Sequence, residues 1–144
     1  MENLLFHEIH QKSRLAVKEV NEMLKEYGLY NAQGSILFCL KQFGPMTQTG
    51  IWQYLNVEAP TVTRTLAKLE ESGWAERVEG MDKRQRIARL TPKAESQVAE
   101  IQERATRLEN DMLSDLSAAE QEQLKSLLKR IQASTLNEKE VKYD

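Results

Sequence analysis

Cysteine occurs once in this chain, as Cys39. A lone cysteine excludes an internal disulfide framework and fits a reducing compartment, so a cytoplasmic location is expected. No run of 18 apolar residues occurs, which excludes a hydrophobic helix long enough to span a membrane. The opening MENLLFHEIHQKSR has no basic leader followed by a long apolar stretch, so no secretory signal is expected. Internal repeats and low-complexity blocks are missing too. So are a Ser/His/Asp or Cys/His set, a Gly-rich phosphate loop and a metal-ligand cluster. Neither an enzyme nor a cofactor is expected from this sequence. Net charge is small, −2 over 144 residues, which argues against non-specific coating of nucleic acid. What is present suits an ordinary globular protein: 40% hydrophobic residues are enough for a core.

Helical periodicity dominates. Leu5, Ile9, Ala16, Val20, Leu24 and Tyr27 recur at helical spacing, and Gly28 suits the left-handed residue that ends such a helix. A second helix carries Ile36, Leu37, Leu40 and Phe43 and stops at Gly44-Pro45. Thr47 can cap a short third helix with Ile51 and Leu55. A break near Asn56 precedes a fourth helix, which starts around Glu58 to Pro60, where proline's missing N–H costs nothing. That helix carries Val62, Leu66 and Leu69 and ends at Gly73. Trp74 to Glu79 and Gln85 to Leu90 read as two short strands joined by a turn. Thr91-Pro92 then opens a long fifth helix. Its apolar stripe, Ala94, Val98, Ile101, Ala105, Leu108 and Met112, has the width of a helix–helix seam. Ser117 and Glu120 form the ends of a capping box opening a sixth helix with Leu124, Leu127, Leu128 and Ile131.

The expected fold is mostly α with a small β-hairpin wing. A winged helix-turn-helix core is flanked by a helical dimerisation lobe built from both termini. The boundaries are an N-terminal helix of that lobe at 1–30, a DNA-binding domain at 31–91, C-terminal helices of the lobe at 92–136 and a polar tail at 137–144. Charge supports this division. Residues 77–91 hold five basic and two acidic side chains, whereas 92–144 hold eight basic and eleven acidic ones. Positive charge therefore gathers at the hairpin, where a duplex would lie. Thr61, Thr63 and Arg64 can point outward from the fourth helix while Val62, Leu66 and Leu69 face inward. Threonine can contact phosphates or base edges, and arginine can bond guanine through two donors.

The segment TQTGIWQYLNVEAPTVTRTLAKLEESGWAERVEGMDKRQRIARLTPKA resembles the core of the MarR family of bacterial transcription regulators. The likeness is carried by Thr47-Gln48, PTVTR at 60–64, LEESG at 69–73, the Asp82-Lys83-Arg84 turn and the closing Leu90-Thr91. Upstream, Gln33 followed by Ile36-Leu37 resembles the family's second helix. The resemblance implies a homodimeric repressor that binds near-palindromic double-stranded DNA and is released by a small aromatic or acidic effector. Carried over residue by residue, the DNA-facing set is Thr47, Gln48, Pro60, Thr61, Thr63, Arg64, Lys68, Arg77, Asp82, Lys83, Arg84 and Arg86. The family pattern also implies that Asp82 buttresses Arg84.

Three positions depart from that pattern. Glu58 stands where a serine cap is usual, Trp52 where a small residue is usual, and Gly34 where a large aromatic is frequent. The expectation is size exchange, with Trp52 filling the space that Gly34 leaves; the alternative is an enlarged effector pocket. Tyr30, Asn31 and Trp52 are the effector-cleft candidates. Cys39 reads as a small buried hydrophobe, and His7 with His10 as helix surface, two imidazoles being too few for a closed metal site. A competing reading keeps the fold but makes it a protein-binding adaptor without DNA affinity, with Glu58 as its only support.

Overall fold

The computed structural model describes residues 3–79 and 86–136. They form α1 (Leu5–Leu24), a 3-10 turn (Lys25–Tyr27), α2 (Asn31–Phe43), β1 (Met46–Thr47), α3 (Gln48–Leu55), α4 (Ala59–Glu71), β2 (Ala75–Glu79), β3 (Arg86–Leu90), α5 (Pro92–Met112) and α6 (Ala118–Lys129). Two compact units result, 1–108 and 109–144.

The helix boundaries follow local chemistry. Gly28, at φ 71°, closes the 3-10 turn that finishes the first helical segment. Thr47 Oγ1 accepts the Gly50 N–H at 3.0 Å and starts α3. Asn56 ends α3 in the left-handed region, at φ 58°, which asparagine tolerates better than most residues. Glu58 is the N-cap of α4 through its backbone alone: its carbonyl accepts the N–H groups of Thr61 and Val62, and its side chain caps nothing. Gly73, at φ 83°, lets the chain reverse so that the Trp74 N–H reaches the Leu69 carbonyl at 2.9 Å. Thr91 Oγ1 accepts the Ala94 N–H at 3.1 Å at the head of α5.

The sheet is larger than the hairpin the sequence suggests. It has three antiparallel strands in the order β1-β3-β2. The two-residue β1 sets Met46 opposite Ala88 and Thr47 opposite Ile87, and β2 sets Ala75 opposite Leu90 and Arg77 opposite Ala88. This extra strand ties the residue that caps α3 to the wing. Arg89 pairs with Glu76 across the strands at 2.8 Å.

The core of the first unit is continuous across five helices and the sheet. Leu24, Ile36, Leu37, Ile51, Val62, Leu66, Leu69, Trp74, Ala88, Leu90, Val98 and Ile101 all belong to it. The stripe expected on α5 therefore divides: Ala94, Val98 and Ile101 are buried here, while Met112 is exposed. A polar clasp fastens the 3-10 turn to α5. Arg104 bonds Glu26 and the Tyr27 hydroxyl, and that hydroxyl donates to Glu100 at 3.0 Å. The Tyr27 contact, then Glu26, raises the Arg104 pKa further above its ordinary value.

In the second unit Ser117 and Glu120 form the expected capping box, Glu120 N–H to Ser117 Oγ at 3.1 Å and Ser117 N–H to Glu120 Oε1 at 2.9 Å. The backbone and then the hydroxyl of Ser117 hold the Glu120 carboxyl below its usual range. This contribution is present above the carboxyl's unfolded pKa and is lost as pH falls through the lowered folded value. Gln121 steadies the preceding bend by donating to the carbonyls of Leu113 and Leu116. No residue of α6 is buried, and Leu124, Leu127, Leu128 and Ile131 are all exposed.

Candidate nucleic-acid interface

The burial pattern of α4 sorts its residues into two faces. Val62, Thr65, Leu66 and Leu69 are buried; Pro60, Thr63, Arg64 and Lys68 are exposed, with Thr61 half-buried. The apolar face seats α4 on α2 and the sheet, so the opposite face carries short hydroxyls, one guanidinium and one ammonium. Thr63 donates to the Ala59 carbonyl at 3.2 Å and lies 3.3 Å from Gln48 Oε1 on α3. This link joins the two helices of the motif and fixes Gln48 beside the first turn of α4. Thr47 and Gln48 are both half-buried at the head of α3. Among the described residues no carboxylate lies within ion-pair distance of Arg64.

Two other basic candidates have partners within the protein. Arg77 Nη2 lies 3.9 Å from Glu70 Oε1, at the C-terminal half of α4. Lys68 Nζ stands 3.5 Å from the Tyr30 hydroxyl and 5.9 Å from its ring centroid. Arg86 is exposed at the end of the wing's strands that leads into their connection, opposite Glu79. Asp82, Lys83 and Arg84 lie outside the described residues, and with them the buttress assigned to Asp82.

A cavity of about 340 Å³ lies behind the motif, within the first unit. Val20, Met23 and Leu24 of α1, Asn31, Gly34, Leu37 and Phe38 of α2, Tyr54 and Leu55 of α3, and Val98, Ile101 and Gln102 of α5 line it. Of the effector candidates only Asn31 is in this lining. Tyr30 is turned to Lys68, and Trp52 lines a separate groove with Asn56, Glu58 and Pro60 at the α3–α4 turn. The proposed exchange between Trp52 and Gly34 is not what the packing shows: Leu24 takes the space beside Gly34, its Cδ1 3.0 Å from where a β-carbon would stand. Phe38, Tyr54 and Gln102 are lining residues that sequence reasoning missed; only the topology brings their helices to one cavity.

That contact gives a prediction. Gly34→Ala removes a glycine from a helix interior, which is worth up to about 1 kcal/mol. The Leu24 methyl must move, and it borders the cavity, so it has room. A small net gain in stability is expected from urea unfolding; a loss would show that Leu24 is held fast.

Cys39 is fully buried and its thiol pKa is raised by that burial. His7 and His10 are exposed on α1, with His10 stacked on Phe6 at a centroid distance of 6.3 Å. Among the described residues no group of three His, Cys, Asp or Glu side chains is placed to hold a metal, and no helix is long and apolar enough to cross a membrane.

Two helices joined by a short turn, the second presenting a polar outer face, with a three-stranded sheet behind them, define a winged helix-turn-helix protein. The MarR family model matches residues 29–85. Over 125 residues the chain is 46% identical to YwoH of Bacillus subtilis (strain 168), described as an uncharacterized HTH-type transcriptional regulator; the match covers 87% of this chain and 91% of that protein. The fold is similar to the transcriptional regulator BldR of Sulfolobus solfataricus, with a TM-score of 0.78 and 29% identity over 91% of this chain and all (100%) of BldR. It is also similar to MepR of S. aureus, solved as a DNA complex, with a TM-score of 0.77 and 26% identity over 86% of this chain and 92% of MepR. The chain belongs to the MarR family of transcriptional regulators, which are not enzymes.

Proposed function

We propose that this regulator is a homodimeric repressor that reads near-palindromic operator DNA and lets go when a small molecule enters the cavity lined by α1, α2, α3 and α5. The observation that carries this is the outer face of α4, where Thr61, Thr63 and Arg64 project beside Gln48 from a helix whose opposite face is fixed in the core. Such a face suits the wide groove of B-form DNA, with hydroxyls to phosphate and arginine to a base edge. MepR, solved with DNA, supports the same assignment. A direct test is a gel shift on fragments flanking the gene. Tight, saltable, competitor-resistant binding is expected, and no binding below micromolar concentration contradicts it.

Dimerisation is supported by each unit on its own terms. In the second, α6 exposes Leu124, Leu127 and Leu128, with exposed Ile131 just beyond its end; in the first, α1 exposes Leu5, Phe6 and Leu15. Apolar side chains left exposed along a helix face favour coverage by a partner. Leu127→Glu with Leu128→Glu changes no residue of the core described above. The double variant is expected to sediment as a monomer at concentrations where the parent is a dimer. A parent that is itself monomeric at micromolar concentration removes the proposal.

For the effector, the lining narrows the chemistry. Among the described residues it holds Asn31, Ser35, Tyr54 and Gln102 as polar groups and no lysine, arginine or histidine. A buried carboxylate would have no cation to offset its lost hydration. That lining favours the aromatic half of the expected effector class over the acidic half. Loss of the gel shift with neutral aromatic compounds, but not with simple aromatic acids, is the expected result.

A further inference from the structure

Tyr30 occupies the N-cap position of α2, with an extended backbone at φ −138° and ψ 173°. Serine, threonine, aspartate or asparagine is favoured there because a short side chain can accept an orphan N–H. Tyrosine makes no side-chain cap hydrogen bond. Its backbone N–H is instead taken by Gln33 Oε1 at 3.1 Å. The ring is left 42% exposed, a large aromatic at a place where neither capping nor core packing calls for it.

That ring meets the reading helix. Lys68, 38 residues along the chain, puts its ammonium 5.9 Å from the ring centroid and 3.5 Å from the phenol oxygen. Lys68 lies on the exposed side of α4, two helical turns from Thr61 on the same flank. A free lysine must surrender rotamer freedom when it meets a phosphate. The two distances place the ammonium beyond the phenol oxygen and off the ring's edge, so the oxygen is what holds it. A cation held there has surrendered part of that freedom already, and an ammonium has three donors, so others remain for a second acceptor.

We propose that Tyr30 is a positioning residue: it presets Lys68 on the flank of α4 for a phosphate of the bound duplex, in place of a better helix cap. This rests on the DNA-binding reading above.

The test is a double-mutant cycle with Tyr30→Ser and Lys68→Ala. Duplex affinity is measured against salt, and stability by urea unfolding. Tyr30→Ser restores a capping hydroxyl, so stability is expected to rise while affinity falls about two- to fivefold, the worth of one long, exposed hydrogen bond. Lys68→Ala is expected to lower the salt slope by about one. In the Lys68→Ala background Tyr30→Ser is expected to cost no further affinity, and Tyr30→Phe, which keeps the ring but loses the phenol oxygen, should lose affinity as Tyr30→Ser does. An equal loss in both backgrounds, a loss of affinity that tracks a loss of stability, or an unchanged salt slope in Lys68→Ala overturns the assignment while leaving DNA binding intact. Failure of the parent protein to bind any duplex, measured first, removes the DNA-binding reading and this inference together.

Discussion

Arg64→Ala is expected to weaken binding to a cognate duplex by about 1–3 kcal/mol and to relax selectivity at the contacted base pair. Its guanidinium leaves α4 from the face opposite Val62, Leu66 and Leu69, so its removal takes nothing from the core. Arginine's planar fork matches the two acceptors of guanine, whereas an ammonium is a point charge. Arg64→Lys is therefore expected to keep the salt slope but lose discrimination. Binding curves on the preferred site and on single-base variants distinguish the two outcomes. If alanine weakens every sequence equally, Arg64 touches phosphate and not a base.

The second large effect is on folding. Leu69→Ala is expected to destabilise the protein by about 2–5 kcal/mol, through lost burial and the void left behind. Leu69 has no exposed surface, and its carbonyl holds the Trp74 N–H where α4 turns into the sheet. A void there loosens both the seat of the reading helix and the root of the wing. Urea unfolding at one fixed protein concentration gives the value, since dimer stability depends on concentration. Arg64→Ala in the same assay should leave the midpoint unchanged. Two neighbouring turns of one helix would thus divide cleanly between folding and recognition.

Much of this was legible in the amino-acid order because the devices are local. Thr47, Thr91, Ser117 with Glu120, and the glycines at 28 and 73 each act within five residues, and all appear where their chemistry places them. The two faces of α4 followed from periodicity alone. What escaped is long-range. Strand β1 is two residues long, too short to show any alternation, and exists only because Met46 and Thr47 meet Ala88 and Ile87. The cavity draws on four helices, and nothing in the neighbourhood of Phe38 or Gln102 announces it. Leu24, not Trp52, takes the space beside Gly34, since α1 packs more closely on α2 than spacing could reveal. Tyr30 meets Lys68, a pairing set by the α2–α4 crossing that neither residue's neighbours announce. The neighbour of Arg77, Glu70 at 3.9 Å, was equally invisible, because it depends on β2 running back along α4.

The central claim is that two copies of the α4 face read one duplex together. Selection of bound fragments from a random duplex pool tests it most directly. Enrichment of a near-palindrome whose half-sites are centred about 10 bp apart, one helical turn, is the expected result. A pool that yields no enriched sequence, or a single half-site without a symmetry mate, would contradict it.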